Sequence, residues 1–156
     1  MKQYVTMLKI ESGSYQKLET MNPTFFALTR LFSFNPFARP SRLIEWFDSD
    51  SLYFSGSSFV GVDKEGDFVN IYNLNGECMF DEDDPEDAKY LNEKFTMKKE
   101  NFSQIIHQWE ELRVAGPDII LIVIHEDNHV SLETDPVIIK QYQDAGYAFD
   151  IDKSEN

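Results

Sequence analysis

Between Pro117 and His125 the chain runs through six consecutive apolar residues, Ile119 to Ile124, five of them β-branched. Branching at Cβ stiffens χ1 and favours a strand over a helix. The run is far shorter than the roughly 20 residues that a membrane helix needs. Gly116-Pro117 stops whatever precedes it, and Asp127-Asn128 are strong turn formers just beyond it. Length, branching and flanks together predict a buried strand.

This strand decides how the next residues are read. His125-Glu126-Asp127-Asn128-His129 matches H-E-x-x-H letter for letter. On a helix that pattern places two His on one face to grip Zn²⁺, with the Glu activating a metal-bound water. Here it follows a strand, contains Asp-Asn, and precedes the alternating Val130-Ser131-Leu132. It predicts a β-hairpin tip without metal chemistry, and no cofactor is expected.

The segment before the strand is helical. From Asn101 or Ser103 as cap to Val114, Phe102, Ile105, Ile106, Trp109 and Leu112 fall at helical spacing, so Trp109 is expected in the core. Upstream, residues 2–10 alternate as a first strand, broken by Ser12-Gly13-Ser14. Asn22-Pro23 opens a helix to about Phe32, and Ser41 a second one to about Phe47. The stretch from Phe25 to Phe47 is rich in Phe, but two prolines split it, so core helices are expected rather than a membrane-surface helix. Strands are expected near 52–63 and 67–74, joined by a turn at Lys64-Glu65-Gly66. Asn75-Gly76 marks another turn, and Glu77–Phe80 a third short strand. A partly helical acidic stretch follows, then strands near 94–98 and 129–133, and a helix near 136–145 with Gly146 as its cap. The expected fold is α+β, one domain over 1–156. A mainly antiparallel sheet has helices packed on one face, and the tail is frayed from about residue 150.

The chain of 156 residues carries a net charge of −14, which argues against direct nucleic-acid binding, since that needs Lys and Arg against phosphates. The charge is uneven. Up to Asp48 six Lys/Arg face four Asp/Glu, and the remainder has eight against twenty-four. Cys78 is the single cysteine, so neither an internal disulfide nor a Cys-based zinc site can form. The first residues lack an apolar signal-peptide core, and a cytoplasmic protein without membrane insertion is expected.

The acidity peaks at Asp81, Glu82, Asp83, Asp84, Glu86 and Asp87, around Pro85. A calcium-binding helix–loop–helix would want Gly where Glu86 stands and Glu where Asn92 stands. Two readings remain: a solvated loop opening a helix, where acids suit the dipole, or a docking surface for a basic protein. Asp63, Glu65 and Asp67, and Glu126 and Asp127, extend that surface if their turns lie at the same end of the sheet. Neutralising Asp81 to Asp84 is expected to leave folding nearly intact. No phosphate loop, nucleophile elbow or Cys/His pair is present, and His107 is expected on the surface.

The stretch KFTMKKENFSQIIHQWEELRVAGPDIILIVIHEDNHVSLE, Lys94 to Glu133, places a Phe/Ile/Trp helix before a Pro, a branched strand, an acidic turn and a strand ending in Leu-Glu. It resembles small acidic immunity proteins of bacterial polymorphic-toxin systems, including contact-dependent growth inhibition. The resemblance implies a cytoplasmic protein without catalytic residues that neutralises a cognate toxin domain, often a nuclease. Charge points the same way, because nuclease domains are commonly basic and an acidic inhibitor gains on-rate from complementary potential. An acidic adaptor for another partner and a small carboxylate-dependent enzyme are the alternatives. Oligomeric state is not legible.

Overall fold

The computed structural model describes residues 4–11, 14–20, 26–33, 40–54, 60–75 and 80–145. In chain order these form β1 (Tyr4–Glu11), β2 (Ser14–Thr20), α1 (Phe26–Ser33), α2 (Pro40–Phe47), β3 (Tyr53–Phe54), β4 (Val60–Glu65), β5 (Phe68–Asn73), α3 (Pro85–Leu91), β6 (Lys94–Lys98), α4 (Lys99–Ala115), β7 (Ile119–Ile124), β8 (Val130–Glu133) and α5 (Pro136–Asp144). The class is α+β, and every strand pairing described is antiparallel. Cys78, the short strand expected at Glu77–Phe80 (all but Phe80), the cap at Gly146 and the tail from residue 150 lie outside the described residues.

The strands divide between two four-stranded sheets, β2-β1-β7-β8 and β3-β4-β5-β6. One apolar core joins them. Val60, Val62, Val69, Ile71, Phe95 and Met97 enter it from one sheet, and Ile120, Ile122, Ile124, Val130 and Leu132 from the other. Between and against these faces pack α1, α2 and α4, so the Phe-rich segment supplies core helices, with Leu28, Leu31, Phe32 and Trp46 buried. The opposite face of β7 is also covered: Leu121 and Val123 pack with Ile139 of α5. Side chains alternate across a strand, so a strand buried on both faces must be apolar at every position. That is why the run from Ile119 is unbroken.

The length and ends of α4 follow from both neighbours. It begins directly after β6, with Lys98 as a cap that makes no side-chain hydrogen bond. It ends at Gly116, whose φ of +66° is the left-handed turn that glycine adopts without strain. Asn101 is not its cap. The Asn101 Oδ1 accepts from Val130 N at 2.7 Å and its Nδ2 donates to Val130 O at 2.9 Å. One turn pair further on, Gln108 Nε2 donates to Leu132 O at 3.2 Å. Two polar residues of α4 thus satisfy the outer edge of β8, which would otherwise offer unpaired groups to another chain. The β4–β5 turn is the two-residue Gly66-Asp67 rather than the expected Lys64-Glu65-Gly66, with Gly66 at φ +59°.

Candidate functional site

His125 to His129 forms the tip between β7 and β8. The backbone closes it, His125 N donating to His129 O at 2.8 Å and Asn128 N to His125 O at 3.0 Å. The imidazole centroids are 5.7 Å apart, and His125 Nε2 lies 3.0 Å from Ser131 Oγ. Glu126 and Asp127 are exposed. A zinc-hydrolase site needs a helix that stacks both His on one face, and the turn denies it. Asn128, in the left-handed region at φ +61°, reaches sideways and donates to Thr96 O at 3.0 Å, which holds the tip beside β6. Among the described residues no three His, Cys, Asp or Glu side chains converge as a metal site. Protein purified without a histidine tag is expected to carry well under one Zn per chain by metal analysis. A tightly held Zn lost in the His125→Ala/His129→Ala double variant would contradict the assignment. His107 is exposed on α4, its Nδ1 2.7 Å from Ser103 O.

The acidic candidates do not form one patch. Register pairs Glu65 with Phe68 and Phe68 with Lys98, so the turn bearing Asp67 lies at that end of its sheet. Asp81 to Asp87 belong to the connection from β5 to β6, which leaves from Asn73 and returns at Lys94, at the opposite end. A strand of this length separates the two groups by about 17–20 Å. Glu126 and Asp127 form a third group on the tip beside β6.

The group near Asp67 is partly committed to the fold. Asp63 Oδ1 accepts from Asn70 Nδ2 at 2.8 Å, and Asn70 Oδ1 accepts from Thr96 Oγ1 at 2.6 Å, a polar ladder across β4, β5 and β6. Next to it Tyr53 and Tyr72 stack with centroids 6.3 Å apart. Burial, reinforced by Tyr53 and Asp63, pushes the Tyr72 hydroxyl far above its ordinary pKa. Lys64 lies in β4 rather than in the turn, and its side chain folds inward. It donates to the carbonyls of Trp46 at 3.0 Å and Ser49 at 2.7 Å and sits 4.6 Å from the Trp46 ring centre. A cation at the end of α2 suits the helix dipole, and burial, with repulsion from Lys99, lowers its pKa. Nothing in the local sequence marks Lys64 for this role.

The group from Asp81 to Asp87 is built differently. Asp84 caps α3, its Oδ1 accepting from Glu86 N at 2.9 Å, and Pro85 takes the first helical position. Asp87 Oδ2 accepts from Asp81 N, and Asp81 Oδ1 from Asp83 N, both at 2.9 Å. Phe80 anchors the loop, its ring 4.5 Å from that of Tyr90. Its backbone is clasped by Asn75, which bonds both Phe80 N and Phe80 O. Asp81, Asp84 and Asp87 therefore hold the loop together. The side chains of Glu82, Asp83 and Glu86 make no hydrogen bond or ion pair among the described residues, and all three are exposed. Neutralisation to Asn keeps the acceptor oxygens of Asp81, Asp84 and Asp87 in place, and at Asp84 Asn caps a helix about as well as Asp; it is removal of the side-chain oxygen, as in Asp84→Ala, that costs about 1 kcal/mol. Comparison of the chain with protein-family models, curated proteins and solved structures gives no match.

Proposed function

We propose that this chain is a non-catalytic binding protein that neutralises a cognate basic toxin domain of a bacterial polymorphic-toxin system in the cytoplasm. The acidic end of the molecule, Glu82, Asp83 and Glu86 on the loop and first turn of α3, is its docking charge. The observation that carries this reading is the division of labour within the cluster. Three carboxylates fix the loop, and three others are held exposed, adjacent and unpaired. Like charges kept together repel one another and disfavour the compact chain. A partner of opposite charge relieves that repulsion and is steered by it. The resemblance of Lys94–Glu133 to immunity proteins supplies the class of partner. No helix among the described residues is long and apolar enough to cross a membrane.

Association kinetics test the reading. The triple variant Glu82→Gln/Asp83→Asn/Glu86→Gln spares the capping carboxylates, so its stability should stay within about 0.5 kcal/mol of the parent, as for ordinary surface changes. Association with the toxin domain encoded next to this gene should slow several-fold at low salt. The deficit should shrink toward about 0.5 M salt, because exposed charges are screened beyond roughly 8 Å already at physiological ionic strength. An association rate unchanged at both salt concentrations removes this surface from the interface.

A further inference from the structure

The sheet β3-β4-β5-β6 has two unlike faces. Side chains alternate across its strands, and one set enters the shared core. The other set points away from that core, and within it Tyr53 and Phe68 are 47% and 45% exposed. Register sorts this outer face into rows that cross the strands. Glu65, Phe68 and Lys98 form the first row, and the ladder through Asn70 forms the second. Gly61, Tyr72 and Lys94 form the third. A Cβ at Gly61 would come within 2.7 Å of Tyr72 Cε2, so the Tyr72 ring lies across the glycine on its way to Tyr53. The charges of the face are balanced and segregated. Asp63 and Glu65 stand on β4, Lys94 and Lys98 on β6, with aromatic rings between them. The strand residues of this face are therefore neutral in a chain of net charge −14. Glu65, Lys94 and Lys98 are exposed and form no ion pair among the described residues.

We infer that this face binds the same face of a second copy of the chain, about a two-fold axis parallel to β5. Such an axis lays β5 over β5, and β4 of each copy over β6 of the other. Glu65 then meets the second copy's Lys98, and the same pair recurs in reverse, as an isologous contact requires. Phe68 packs on Phe68, and each Lys94 stands over the second copy's Tyr72 ring, where a cation is attracted to the aromatic face. Stacked sheets lie about 10 Å apart, a gap that a Glu and a Lys side chain together span. The ladder between these contacts is already satisfied, since Asn70 bonds Asp63 through Nδ2 and Thr96 through Oδ1. An axis across the strands would instead set Lys98 over Lys94, like charge on like. The two lysines also disfavour a basic partner, which the acidic loop suits, so the inference stands apart from the proposed toxin binding. Strands about 4.8 Å apart and six residues long present a face of roughly 15 by 20 Å. That is less than the standard interface of about 800 Å² per partner, so the dimer is of the weak, concentration-dependent kind.

Sedimentation equilibrium of the intact chain tests this, under reducing conditions that exclude a Cys78 disulfide. The mass should climb from 18.2 kDa toward twice that value between about 1 µM and about 1 mM, the range open to an interface of this size. Glu65→Lys and Lys98→Glu are exposed changes that should leave the melting temperature near that of the parent. Each alone should weaken dimerisation several-fold, because it sets like charges face to face twice. Mixing the two variants should restore association as a heterodimer, since each then carries the charge that the other lacks. Phe68→Ser should weaken the parent dimer several-fold. A monomeric mass over the whole range overturns the inference and leaves the face to a different protein. A doubled mass indifferent to both charge variants overturns it too, and moves the contact elsewhere, such as the outer edge of β2. So does a mixture of the variants that associates no better than either one alone.

Discussion

Replacing Trp109 by Ala should cost about 3–5 kcal/mol of stability, the usual range for removing a large aromatic from a packed core. Trp109 is 2% exposed, and its ring centre lies 4.9 Å from that of Phe32. It stands on α4, the helix that touches both sheets through a shared core, and it meets α1 there. Truncation leaves a void between α1 and α4 that neither helix can close without disturbing its own sheet contacts. Domains of ordinary stability hold about 5–15 kcal/mol in reserve. The loss should therefore lower the melting temperature by roughly 10 °C, at about 2–4 °C per kcal/mol for a chain of this size. Trp109→Phe should recover part of it, because a ring still fills some of the space. A thermal melt of both variants decides. An unchanged melting temperature combined with lost partner binding would move Trp109 from the core to an interface.

Asn101→Leu is the second large effect. Leucine keeps the branching of asparagine, but its methyls cannot approach Val130 N and O to the 2.7 and 2.9 Å of the present contacts, so both hydrogen bonds disappear. The buried N–H and C=O of Val130 are then left without partners, at about 1–3 kcal/mol for each group. The outer edge of β8 also becomes available for pairing with another chain, so the variant should aggregate more readily on heating. Urea unfolding measures the first effect and light scattering during the melt the second. Stability within about 0.5 kcal/mol of the parent, the range of a neutral surface change, would mean that the α4 edge cover is dispensable.

Asn101 also illustrates what the sequence hides. An Asn at a helix start looks like a cap, and nothing nearby reveals that its side chain serves a strand 29 positions later. By contrast, the helical stripe from Phe102 to Trp109 and the strand from Ile119 were legible, because burial imposes a period, or in β7 the lack of one. β2 was not. Ser14 to Thr20 reads SYQKLET, without alternation, and as an edge strand it pairs along one side only. Nor does hydrophobic pattern say how strands distribute between sheets, so the division into two was invisible.

The acidic cluster was legible as a run of charge opening a helix around Pro85. Which carboxylates the loop consumes and which it leaves free depends on backbone geometry, and only the hydrogen bonds reveal it. The same geometry separates Asp81–Asp87 from Glu65 and Asp67 by the length of a strand.

The proposed function predicts that a basic toxin domain is encoded beside this gene, and the most direct measurement of the central claim is the activity of that domain, purified, while the chain is titrated into it. The account predicts that activity falls in proportion to added protein and vanishes at equimolar amounts. The variant lacking the free carboxylates of Glu82, Asp83 and Glu86 should need an excess to do the same. Toxin activity undiminished in the presence of excess chain would contradict it.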